Sequence, residues 1–278
     1  MKLENKVVII TGSGRGIGKA IALAFADEGA HLMLVSRTLS EVEATAQEIR
    51  SRGFRPLAEK VDVSQRSEVE AMVASTVVRF GRIDVLVNNA AVQPPIGPLW
   101  ENDPDEWMRT VLINLGGVFL CCRAVVPVMI RQGGGKIINL SGGGATSPRP
   151  YFSAYAASKA AVARLTETLA EEVRGFDIQV NALAPGAVST RMTEEVLTAS
   201  GAAGARALAE ARQVKEEARM PEVAAELALF LASDESDGLT GRLISAPWDD
   251  WRQTKKHFKE ILASDAWTLR RVPFSPEA

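Results

Sequence analysis

Cysteine is nearly absent from this chain. Its 278 residues hold two, Cys121 and Cys122, adjacent inside an apolar run. That excludes a disulfide framework, and the pair reads as small core residues. Histidine is equally scarce: His31 and His257 lie far apart without the spacing of metal ligands, so metal catalysis has no support. Neither sign of charge is in excess. With 32 Lys and Arg against 34 Asp and Glu the formal net charge is -2, which makes no electrostatic case for nucleic acid or an anionic membrane as partner. No apolar run reaches the ~18 residues of a membrane span. The first six residues lack a signal peptide's apolar core, and a cytoplasmic location is expected.

What is present is an ordinary globular composition, 46% hydrophobic and 24% charged, in a length that suits one large α/β domain. Residues 6–11 (KVVIIT) read as a strand buried on both faces. Gly12-Ser13-Gly14-Arg15-Gly16-Ile17-Gly18 follows at once, and then a helix over 19–28 closed by Gly29. Further strands are expected at 31–36, 54–62, 83–87, 136–140, 178–183 and 242–245. Further helices are expected at 40–50, 68–80, 154–169 and 104–130, the last interrupted at Gly116-Gly117. This alternation predicts a doubly wound parallel sheet with helices on both faces, whose ligands bind beyond the C-terminal strand ends. Residues 12–18, 88–91, 141–144 and 185–186 all fall at such ends.

Chemistry enters at two places. The glycines at 12–18 let backbone amides approach a pyrophosphate, and the helix N-terminus behind them favours its charge. The next strand ends in Ser36-Arg37, without the acidic residue that would accept from a ribose 2′-hydroxyl. Arg37, with Arg15 from the Gly-rich turn, is placed to pair with a 2′-phosphate, so NADP(H) is expected over NAD(H). The second place is Tyr155, one of only two tyrosines, four residues before Lys159 in an Ala-rich helix. That spacing puts phenol and ammonium on one face. A phenol titrates near pH ~10, and a neighbouring cation lowers that value, which makes Tyr155 a candidate general acid/base.

In their fixed order these motifs resemble the short-chain dehydrogenase/reductase family, over roughly residues 5–245. The resemblance implies a single Rossmann-type domain, a cofactor loop at Thr11 to Gly18, an adenine contact at Asp62-Val63 and a sheet-steadying segment at Asn88-Asn89-Ala90. It implies catalytic roles for Tyr155 and Lys159. Asn114 matches a catalytic Asn that would anchor, through a water, a proton relay behind Lys159. Pro185 and Gly186, with Val188 and Thr190, match a loop that closes on the nicotinamide carboxamide. The implied reaction interconverts a carbonyl and a secondary alcohol, in a homodimer or homotetramer paired through the helices at 104–130 and 154–173. A lid is expected over about 191–220, with Gly201 and Gly204 as hinges and a helix at 205–218.

Three departures stand out. The family's catalytic serine lies thirteen positions before the tyrosine, where this chain has Gly142. Ser141, Ser147 and Ser153 are the hydroxyls that stand near enough to substitute, Ser141 first among them. Without such a donor two other readings arise: a nucleotide-binding protein whose dehydrogenase site has decayed, and a reductase of activated C=C bonds. Ala91 replaces a usual Gly, which alters a turn and no chemistry. After residue 247 the chain departs altogether, in a tail over 248–278 with Trp248, Trp251 and Trp267 and an amphipathic helix expected at 250–262. Its tryptophans should bury area against the domain or another subunit. Arg149, Arg191 and Arg206 stand near the site in sequence and suit an anionic substrate as well as they suit plain solvation.

Overall fold

A computed structural model describes residues 1–217 and 220–272. Seven parallel strands form one sheet: β1 (Val7–Thr11), β2 (His31–Ser36), β3 (Leu57–Lys60), β4 (Val85–Asn88), β5 (Gly135–Leu140), β6 (Ile178–Ala184) and β7 (Leu243–Ser245). Their spatial order is β3-β2-β1-β4-β5-β6-β7. The order reverses between β1 and β4, so the crevice at the C-terminal ends of those strands is where such a sheet takes its ligand.

Alternation along β1 shows why apolar residues run unbroken there. Val8 and Ile10 join a core with Ile21 and Phe25 of α1 (Gly16–Asp27) and Leu227 and Leu231 of α9 (Glu222–Ala232). Ile9 points the other way, into a core with Met72 of α3 (Arg66–Phe80), Cys121 of α5 (Gly117–Gln132) and Val162 of α6 (Ser153–Glu172). Both faces are dry, which favours unbroken apolar residues, and the one polar residue of β1, Thr11 at its C-terminal end, has its hydroxyl hydrogen-bonded. The two cysteines are buried free thiols, the core role expected of them. Helix α2 (Leu39–Ser51) packs beside β2 and β3.

Two expected details change. The helix expected to break at Gly116-Gly117 runs on continuously from Pro104 to Gln132; α4 (Pro104–Val111) passes into α5 through a π turn over Leu112–Gly116. One extra residue is inserted, and the helical ladder resumes. Its most apolar 18-residue window has mean hydropathy 2.0, so by length and composition alone the helix could cross a bilayer, a test that the core helix of a globular domain also passes. It lies against α3 and α6. The tail helix expected at 250–262 is instead a 3₁₀ segment, Trp251–His257, followed by the short α10 (Phe258–Leu262).

The tail folds back on the sheet. Trp251 is buried and donates from Nε1 to Ala246 O at 3.1 Å, and Trp267 packs on the same core, whereas Trp248 is 82% exposed. Arg242 extends its guanidinium to the main-chain oxygens of Leu262, Ser264 and Ala266 at 2.9–3.1 Å. Leu243 N donates to Trp267 O at 2.8 Å and Ser245 N to Asp249 Oδ2 at 2.7 Å. Between β6 and α9 lie α7 (Arg191–Ala199) and α8 (Ala205–Glu216), the expected lid segment. The predicted reach of its helix to Ala218, the stretch through Arg219, and the last six residues of the tail lie outside the described residues.

Candidate active site

The Gly-rich turn is fixed from below by one asparagine. Asn89 follows β4, and its Nδ2 donates to Thr11 O at 2.9 Å and Gly12 O at 3.0 Å. Thr11 Oγ1 accepts from the amides of Asn89 and Ala90, both at 3.0 Å. A Cβ on Gly18 would overlap Asn89 Nδ2 and Gly12 O, so the turn closes only on a bare backbone there. Ser13 is buried, its amide bonded to Val35 O at 3.2 Å, and Gly14 passes so close to α2 that a Cβ would stand 2.8 Å from that of Glu41. Gly16 begins α1 with Ile17 against the core. The result is a cradle of backbone at a helix N-terminus, and it fits a pyrophosphate.

The residues expected around an adenosine divide. Arg15 pairs with Glu41 at 2.9 Å, because α2 brings that carboxylate over the Gly-rich turn. Arg37 is exposed at the end of β2 and has no ion pair among the described residues. Ser36 Oγ donates to Thr38 O at 2.8 Å and shapes that bend. Asp62 Oδ1 accepts from Ser64 N at 2.9 Å and Ser64 Oγ at 2.7 Å, which stations the buried Val63 beside Gly117.

Across the crevice, Thr190 caps α7 in a reciprocal box with Thr193. Its methyl lies 3.4 Å from where a Cβ on Gly16 would stand, so the loop of Pro185, Gly186 and Val188 reaches the Gly-rich turn. Thr193 Oγ1 donates to Val188 O at 2.8 Å. Gly186 also meets the start of the tail, where Pro247 Cγ lies 2.7 Å from a Cβ placed on it.

Tyr155 and Lys159 share a face of α6, both almost fully buried. Lys159 Nζ donates to Leu140 O at 2.7 Å, and burial pushes its pKa down to about 8. Sequence reasoning predicts a phenol lowered by this ammonium, and here the structure differs. Burial pushes the Tyr155 pKa up, and the charge that opposes the rise is Arg149. Lys159 Nζ stands 5.7 Å from the ring centroid with one of its three N–H donors on a carbonyl, while the Arg149 guanidinium lies 5.4 Å from that centroid. Asn114, inside the π turn, donates to Val92 O at 2.9 Å and Ser158 Oγ at 3.0 Å and accepts from Val92 N at 2.8 Å. It therefore ties the loop after β4 to α6 directly, and Ser158 is the partner that sequence reasoning missed.

Two of the three hydroxyls expected to replace the missing serine have partners among the described residues. Ser141 still follows the β5 ladder, its amide on Leu183 O, and its Oγ donates to Lys159 O at 3.4 Å. Ser153 Oγ accepts from Trp107 Nε1 at 3.0 Å, and Ser147 is exposed. At Gly142 itself a Cβ would stand 2.5 Å from Tyr155 Oη. An open cleft of about 700 Å³ runs between the loop at Pro94, Pro95 and Ile96 and helix α7, and neither Tyr155 nor Lys159 lines it. Arg191, half of an ion pair with Glu195, lines it, and Arg206 lies exposed on α8.

Comparison with known proteins agrees with this geometry. The family model for short chain dehydrogenase matches residues 6–201. A 3-oxoacyl-[acyl-carrier-protein] reductase, FabG, of Thermotoga maritima is 38% identical over 244 residues, covering 88% of this chain and 97% of its own. Among solved structures, an NAD+-bound xylitol dehydrogenase superposes with a TM-score of 0.82 at 30% identity, over 88% of this chain and 98% of its own. A gluconate 5-dehydrogenase from Burkholderia cenocepacia, in complex with NADP and tartrate, gives 0.78 at 32% identity, over 88% and 94%. A matched family model, a relative of this identity and a seven-stranded parallel sheet of the same form make the chain a member of the short-chain dehydrogenase/reductase family, an oxidoreductase.

Proposed function

We propose that the chain interconverts a carbonyl and a secondary alcohol with NADP(H), using Tyr155 as general acid/base. The observation that carries this reading is the placement of Tyr155 and Lys159 on one face of α6, with Lys159 bonded at the C-terminal end of β5, the same edge of the sheet as the bare-backbone cradle after β1 at Gly12, Gly14 and Gly18. When bound, a nicotinamide cofactor supplies or accepts the hydride. The amides of the Gly-rich turn would hold its pyrophosphate. Ser36, Arg37, Asp62 and Val63 would hold the adenosine end. Asn89, Ala90, Tyr155, Lys159, Pro185, Gly186, Val188 and Thr190 would hold the nicotinamide end.

In the reduction direction Tyr155 gives its phenolic proton to the carbonyl oxygen. A buried phenol whose pKa is pushed up is protonated at neutrality and ready to donate. Lys159, bonded to Leu140 O, fixes the end of β5 against α6 and keeps a cation behind the phenol. Asn114 holds Val92 and Ser158 in register, which steadies the loop over the reacting centre. Helices α7 and α8 would close over the substrate as a lid. A panel of ketones and enones assayed with NADPH tests the reaction: turnover of ketones supports it, and turnover of enones alone would replace it with C=C reduction.

Cofactor choice rests on Arg37, since Glu41 already neutralises Arg15. Arg37→Ser is expected to weaken NADPH binding about 10- to 100-fold, the loss of one charge-assisted contact, while NADH binding holds. Quenching of tryptophan fluorescence by each cofactor reads both constants. An unchanged NADPH affinity would remove Arg37 from the cofactor site.

The same reading includes a homo-oligomer. Met108, Leu112 and Phe119, spaced four and seven residues apart on the continuous helix, are each more than half exposed. Exposed apolar stripes of this kind mark contact surfaces. Leu112→Glu with Phe119→Glu is expected to yield a monomer by sedimentation where the parent chain is a dimer or tetramer; identical sedimentation would place the contact elsewhere.

A further inference from the structure

Three consecutive glycines follow β5, and each is occupied by something. A Cβ on Gly142 would stand 2.5 Å from Tyr155 Oη, and a Cβ on Gly143 would stand 3.4 Å from Arg149 Nη1. At Gly144 a Cβ would meet Arg149 Cβ at 3.4 Å and Ala156 Cβ at 2.6 Å. The Gly run is therefore a mould around one phenol and one guanidinium. Arg149 is stacked over the Phe152 ring at 4.3 Å and reaches to 5.4 Å from the Tyr155 centroid. It makes no ion pair among the described residues, unlike Arg15, Arg82 and Arg191. An aromatic face that holds a cation without neutralising it leaves the donors available to a ligand.

We propose that Arg149 takes the place of the missing serine, donating from its guanidinium to the substrate carbonyl oxygen beside Tyr155. This rests on the reading of the site as a carbonyl reductase. The balance of the step is unchanged: the bound cofactor is oxidised as its hydride reduces the carbonyl carbon, and Tyr155 protonates the oxygen. Arg149 exchanges no proton, since a guanidinium stays charged at any working pH. It stabilises the negative charge that gathers on oxygen before the proton arrives, the work a serine hydroxyl does as a neutral donor. A side chain at position 142 would require the phenol to shift from its place beside Arg149, so glycine there and arginine at 149 form one arrangement.

The charge environment of Tyr155 supports the same assignment. From the loop it faces Arg149, and on its own helix Lys159; the lid side contributes apolar Val196, Ala203 and Ala211. Arg149 is the charge that draws the Tyr155 pKa down against burial. Removing it must leave the phenol harder to ionise.

Arg149→Gln keeps length and polarity and discards the charge. It is expected to lower kcat about 10²-fold, the loss from one preorganised donor, with KM and the cofactor dissociation constants within about threefold. Arg149→Lys is expected to recover part of kcat, and Gly142→Ser to lose activity in spite of restoring the family's residue. A second readout needs no substrate. With Tyr151→Phe as background, Tyr155 is the only tyrosine, and near-ultraviolet absorbance follows its ionisation. Adding Arg149→Gln is expected to move that titration to higher pH, and Arg149→Lys to leave it near the parent. Unchanged kcat and unchanged titration in Arg149→Gln would overturn the proposal while carbonyl reduction by the parent enzyme stands. A parent enzyme that turns over no carbonyl with either cofactor would instead overturn the reductase reading, and with it Arg149's role as carbonyl donor. The phenol titration would still show whether the Arg149 charge reaches Tyr155.

Discussion

Tyr155→Phe is expected to lower turnover by about 10²–10⁴-fold, the range for loss of a positioned general acid, and to leave cofactor binding intact. The substitution removes one oxygen from a ring packed with Phe152, Val196 and Ala203, so the fold and the lid contacts are retained. Arg149 remains stacked on Phe152, and Lys159 remains on Leu140 O, because neither contact uses the phenol oxygen. Pre-steady-state cofactor binding and steady-state kcat measured on one preparation separate the two effects. Retained kcat would move the proton donor to another group. The direction of the pH profile follows from the same phenol. Its pKa is raised, so the acid form needed for reduction persists through neutrality, whereas oxidation requires phenolate and is expected to quicken as pH rises.

Gly18→Ala is the second large effect. A methyl there has nowhere to go: Gly12 O is backbone, and Asn89 Nδ2 is held by two carbonyls. Relief requires either the Gly-rich turn or the Asn89 clip to move. Overpacking of this kind costs about 1–3 kcal/mol of stability. The displaced amides would lose their aim at a pyrophosphate, and cofactor affinity is expected to fall about 10²-fold, which corresponds to nearly 3 kcal/mol. Thermal unfolding with and without NADPH reads both quantities, since a bound cofactor raises the melting temperature of the parent and should raise that of the variant far less. An unshifted melting temperature together with parent-like affinity would show that the turn yields freely.

Patterning at short range carried the fold. Apolar runs located the inner strands β1, β4 and β5 within a few residues, because a strand dry on both faces is held to an apolar composition, while the edge strand β3 (Leu57–Lys60) was legible only through the alternation of elements. The helix at Pro104–Gln132 was misread at Gly116-Gly117 because a π turn keeps the ladder intact where intrinsic propensity alone argues for a break. The geometry of the site was legible wherever it belongs to spacing on one element, as with the shared helix face of Tyr155 and Lys159. It was illegible where partners come from distant segments. Nothing adjacent to Arg15 announces Glu41, and nothing near Asn114 announces Ser158. Nothing in the glycines that follow Ser141 announces that its hydroxyl meets the Lys159 carbonyl. The tail is illegible for a related reason: its course after α10 is held by Arg242 and by the rim of β7, both outside its own sequence.

That rim has a further consequence. A parallel sheet ends in a strand whose alternate N–H groups have no neighbour, and such a border invites a strand from any passing chain. On β7 those groups are Leu243 N and Ser245 N, and the tail occupies both, one through Trp267 O and the other through the Asp249 carboxylate. The border is closed by a segment that is not itself a strand and so offers no new border. Docking of a second sheet by strand addition is thereby foreclosed on this side. Any pairing of subunits there must proceed through side chains of the tail, with the exposed Trp248 indole the largest apolar group at that entrance.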